Sequence, residues 1–71
     1  MKGIPEITDK QIEVLDYIIQ FKLKHDISPT YQNIGDHFGY TRHNARLHCL
    51  ALKKKGYIDF EENKSRTIRV L

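Results

Sequence analysis

The apolar residues of this chain keep a helical period as far as Gly56 and a period of two beyond it. That single change confines the fold to helices first and a sheet second. Before Gly56, turn and capping residues divide the chain into three helical segments. Thr8 and Gln11 form a capping box, and Asp9 suits the positive end of a helix. Val14, Leu15, Ile18 and Phe21 then follow helical spacing, and Ile12 and Ile19 widen the buried stripe. This predicts a first helix from Asp9 to about Lys24, ending near His25-Asp26.

Pro29 disfavours helical geometry at Ser28, so Ile27-Ser28-Pro29 reads as a short extended stretch with Ser28 a turn residue. Thr30 is the next N-cap, for a two-turn helix over Tyr31–Phe38 with Ile34 and Phe38 inward and Gly39 as left-handed C-cap. Gly35 lies inside that helix, where it costs about 1 kcal/mol relative to alanine, and the reading is that another helix approaches closely there. Thr41 caps a third helix running to about Lys54, with Ala45, Cys49 and Leu52 as its inward stripe. Past Gly56, Tyr57–Phe60 and Thr67–Val70 alternate, with Ile58, Phe60, Ile68 and Val70 on one face. The polar run Glu61–Ser65 is their hairpin loop. The fold class is therefore α+β and mostly α: a single domain over residues 1–71, of the three-helix winged helix-turn-helix plan with a C-terminal β-hairpin wing.

Length and charge narrow the function. A chain of 71 residues is too short for a deep catalytic cleft. Its 39% hydrophobic and 30% charged residues are ordinary for a folded water-soluble domain. No apolar run approaches the roughly 20 residues of a membrane helix. Met1–Pro5 hold no apolar leader, and a lone cysteine forms no internal disulfide, so the expected address is the cytoplasm. Residues 1–40 carry four lysines against six acids, and residues 41–71 carry eight Lys/Arg against three acids. A basic half following an acidic one is the footprint of a polyanion partner, although leftover surface lysines give the same count.

Helix three then supplies the candidate readers. Thr41, Arg42, His43, Asn44 and Arg46 sit at or near its start, where side chains reach a groove floor. Arginine pairs with guanine through two hydrogen bonds and asparagine with adenine, whereas plain exposed cations are the bland alternative for Arg42 and Arg46. Lys53 and Lys54, with Lys55, complement the helix dipole or touch phosphate. Lys64 and Arg66 flank the wing tip as phosphate or minor-groove contacts. Arg69 points outward with no particular partner implied. Leu47 and Leu50 remain open: core against the wing, contacts to thymine methyl groups, or a protein interface. His37, His43, His48 and Cys49 are the potential zinc ligands, but no Cys-x-x-Cys pair exists and Cys49 lies on the inward stripe. No metal, cofactor or catalytic arrangement is expected, and the chain does not read as an enzyme.

Thr8, Gln11, Glu13-Val14-Leu15, Ser28-Pro29-Thr30, Ile34 and Phe38-Gly39-Tyr40 resemble the start of the LexA repressor DNA-binding domain. His48, Ala51-Leu52, Lys55-Gly56-Tyr57-Ile58 and Ser65-Arg66-Thr67-Ile68-Arg69 continue the resemblance in order. It implies a sequence-specific reader of double-stranded operator DNA, a transcriptional repressor of the bacterial damage (SOS) response or of a phage, acting by operator occlusion. The family's repressors continue into a domain with a Ser/Lys self-cleavage dyad and the main dimer interface. This chain stops at Leu71, so self-cleavage is not implied. Between Gly39 and His48 the sequence is one residue shorter than the family pattern, so base contacts are assigned from physics. Asn44-Ala45 resembles the family's Asn-Ala pair. A homodimer, at least on DNA, is expected, because two-fold operators favour dimers. The rival reading is a small winged-helix protein that binds and modulates another repressor or RNA polymerase.

Overall fold

The computed structural model describes residues 7–71, so the reading of Met1–Pro5 lies outside the described residues. The chain forms α1 (Asp9–His25), α2 (Tyr31–Phe38), α3 (Arg42–Lys54), β1 (Ile58–Asp59) and β2 (Arg69–Val70). All three helices start on the expected threonines. The Thr8 and Thr30 hydroxyls accept the Gln11 and Asn33 amides, and the Gln11 and Asn33 side chains return the bond to the cap amide. Thr41 accepts the Asn44 amide at 3.0 Å. Each cap satisfies a helix-end N–H that would otherwise lack a partner, typically worth about 1 kcal/mol.

The helices meet in one core with the sheet at its edge. Val14 and Ile18 from α1, Ile34 from α2, and Ala45, Cys49 and Leu52 from α3 have no exposed surface. Ile58, Phe60 and Ile68 close the core from the hairpin. A fully buried isoleucine such as Ile18 contributes about 1.5–3 kcal/mol.

Four expectations change. Ile12 does not widen the buried stripe, being 46% exposed. Val70 pairs directly opposite Ile58 yet stays exposed, because β1 is the strand that packs on α3. The helix expected against Gly35 is a turn: a Cβ there would stand 2.6 Å from the Tyr40 carbonyl oxygen. Gly35 thus lets the α2–α3 turn close, with Gly39 in the left-handed conformation at φ 77°.

The strands are also shorter than the alternation suggests. The donors that would lengthen the ladder are taken by side chains. The Phe60 amide bonds the Asp59 carboxylate, the Glu61 amide the Thr67 hydroxyl, and the Ile68 amide the Ser28 hydroxyl. Two rungs remain, Ile58 opposite Val70 and Asp59 opposite Arg69. Arg69 does find a partner, its guanidinium lying 2.8 Å from Asp59 across the strands.

Candidate nucleic-acid interface

Helix α3 has two chemically opposite faces. Ala45, Cys49 and Leu52 are fully buried, and burial pushes the Cys49 thiol up to about 12, so it packs as a small apolar group. The rest of the helix carries Arg42, Arg46, Lys53, Lys54 and two histidines with no aspartate or glutamate. Thr41, Arg42, His43 and Asn44 are all exposed at its start. The N-cap role belongs to the Thr41 hydroxyl, which leaves the exposed Asn44 side chain outside the cap.

The wing packs beside this start. Arg42, Lys64 and Arg66 line one open notch of about 320 Å³ together with Pro29–Gln32 and Phe60. Arg42, His43 and Arg46 line a second with Tyr31 and Glu62. Arg46 is half-exposed and ion-paired with Glu62 of the wing, a partner the sequence reading missed. Burial raises the Tyr31 hydroxyl above its ordinary pKa, with Glu62 adding to the shift and Arg46 and Arg42 opposing it. Cationic side chains from two elements therefore converge on one side of the domain.

The remaining candidates divide. Lys64 is exposed at the wing, 3.8 Å from Glu61. Arg66 is exposed as well, but its guanidinium donates to the Ser28 carbonyl at 3.0 Å and its backbone is left-handed at φ 58°. Lys53 turns toward the hairpin, its ammonium 2.9 Å from the Phe60 carbonyl, 4.7 Å from the ring centroid and 3.7 Å from Asp59. Lys54 is exposed at the far end of α3, about 18 Å from Arg42 along the axis. The structure thus brings Arg42, Lys64 and Arg66 to one notch and Arg42, His43 and Arg46 to the next, whereas Thr41 and Asn44 line neither and Lys53 bonds the hairpin.

Ser28 is the residue whose role was least visible. It is buried, accepts the Ile68 amide at 3.1 Å, and its carbonyl takes the Arg66 guanidinium. The segments Ser28-Pro29-Thr30 and Ser65–Arg69, far apart in sequence, meet here. Lys22 of α1 adds a bond to the Ile68 carbonyl at 3.1 Å. The four potential zinc ligands stay in separate settings: His37 stacks on Tyr17, His48 on Tyr40, His43 is exposed and Cys49 is buried.

Three helices, a glycine-dependent turn between the second and third, and a hairpin folded beside the third define the winged helix-turn-helix class. Within that class the particular family is also clear. Residues 4–67 match the LexA DNA binding domain model, and the chain belongs to that family. LexA repressors of Leptospira biflexa, Thermosipho africanus and Thermotoga petrophila are 42%, 39% and 38% identical to it. The matches cover 93%, 93% and 92% of this chain and 33% of each repressor. The chain spans about a third of the length of the curated relatives it matches. None of its described helices is long and apolar enough to cross a membrane.

Proposed function

We propose that this domain binds a specific double-stranded operator and represses transcription by occluding it, with Thr41, Arg42, His43, Asn44 and Arg46 in the major groove. Lys64 and Arg66 meet the flanking backbone or minor groove, and Lys54 meets phosphate at the other end of α3. The observation that carries this reading is the acid-free outer surface of α3, flush with a wing whose cations line the same notch. Membership of the LexA family supports the repressor role and a place in the bacterial cytoplasm, where operator DNA lies. Two copies meet on a two-fold operator, because one module of this size offers few contacts for tight specific binding.

Selection of bound duplexes from a random pool tests this directly. A recurrent motif is expected, with affinity falling steeply with salt at a log–log slope of about −0.9 per neutralised phosphate. Lys64→Ala should flatten the slope by about that amount and leave the preferred motif unchanged. Arg66 is the poorer probe, since removing it also releases Ser28. No enriched motif, together with a slope of zero on every duplex, sinks the proposal.

A further inference from the structure

Resting on the DNA-binding reading above, we infer that Leu47 is a specificity-determining residue whose side chain meets a thymine methyl group in the major groove. Of the two leucines on the open side of α3, only one is held by the fold. Leu50 is partly buried and packs against the core. Leu47 is 47% exposed on a helix of otherwise polar outer residues.

At 100° per residue, His43, Leu47 and Lys54 fall on one stripe, opposite the buried stripe of Ala45, Cys49 and Leu52. Leu47 is therefore at the middle of the surface that faces away from the domain. Arg46 lies to one side, held toward the wing by Glu62. An apolar side chain on a helix whose other exposed residues are Arg42, His43, Asn44 and Lys54, with no acid among them, suits a target that is anionic at its rim and apolar at one point inside. The major groove is such a target: phosphates border it, and thymine alone places a methyl group on its floor. A protein partner matched to this helix would need an acidic rim around an apolar pocket. The wing beside the helix, with Lys64 and Arg66 lining the same notch as Arg42, adds further cations and favours the duplex.

The test compares the intact chain and Leu47→Ala on the pool-selected duplex, with each thymine replaced in turn by deoxyuridine, which deletes only the methyl. For the intact chain one or two replacements should weaken binding about fourfold, the worth of one buried methyl group. For Leu47→Ala those same replacements should be silent, with unchanged melting because the side chain is exposed. If the intact chain binds its motif but every replacement is neutral, or if Leu47→Ala keeps the same sensitivity, the assignment to Leu47 is wrong and the DNA reading stands. A motif without thymine overturns it equally. If the intact chain prefers no duplex, both fall.

Discussion

The helical body and the wing are held by different kinds of interaction. In the body each helix begins on a threonine cap three residues from its partner, and the core fills with side chains at helical spacing. Local sequence and burial agree there. The wing has two rungs of ladder, and the loop between them is fixed from outside. Ser28 holds it at Ile68 and Arg66, Lys22 at the Ile68 carbonyl, and Lys53 at the Phe60 carbonyl. Isolated two-stranded hairpins are marginal in water, so these bonds, together with Ile58, Phe60 and Ile68 buried in the core, set the position of the wing. A helix-turn-helix can be specified locally, whereas its wing is specified by what it leans on.

Breaking the body should have the largest effect. Cys49→Ser places a hydroxyl where no surface is exposed, and burying one unpaired costs about 2 kcal/mol. That is a large share of a small domain's stability, so thermal melting should drop by roughly 10 °C and binding to all duplexes should weaken equally. Arg46→Ala, on the other face, should melt near the parent and lose discrimination at one or two operator positions. If Cys49→Ser melts normally while Arg46→Ala unfolds the domain, the two faces are reversed.

Loosening the wing should come next. Ser28→Ala removes the acceptor of the Ile68 amide, a loss of about 1 kcal/mol. Amide exchange should quicken at Ile68 and its neighbours in the wing, with the α1 and α2 amides unaffected. Uniform quickening across all elements would mean that wing and body open as one unit.

The smallest effect is acid loosening of the wing base. The Asp59 carboxyl is held below its usual range chiefly by the Phe60 amide, then by Lys53 and Arg69. A lowered folded-state pKa makes the contribution fully present above the ordinary carboxylate value. It is lost as pH falls through the depressed one. Acid titration followed at the Asp59 carboxyl carbon should show a midpoint below the ordinary aspartate value. A midpoint at or above the ordinary aspartate value would show that the cluster does not form.

Most of the body was legible because its signals are local. Thr8, Thr30 and Thr41 announce helix starts, Gly39 announces a stop, and the inward stripe of α3 follows from spacing alone. Gly35 announced a close approach without saying to what, since a turn carbonyl and a second helix demand the same missing Cβ. The wing was legible as a hairpin but not in its anchoring. Ser28 looks like a turn residue until the chain brings Ile68 back over it. Arg66 and Lys53 look like free cations until Ser28 and Phe60 supply carbonyls. The pairing of Arg46 with Glu62 crosses from helix to wing, and no periodicity encodes it. The resemblance placed Ser28-Pro29-Thr30 and Ser65–Arg69 in one family pattern; only the fold places them in contact.

The central claim is that the open face of α3 and the wing meet DNA as one surface. Titration of the ¹⁵N-labelled domain with the pool-selected duplex, followed by backbone amide shifts, tests it most directly. The account predicts that the amides of Arg42–Leu47 and Glu61–Thr67 move together along one binding curve, while Lys10, Glu13, Asp16 and Gln20 on the exposed side of α1 stay in place. Shifts centred on α1, with α3 and the wing silent, would contradict it.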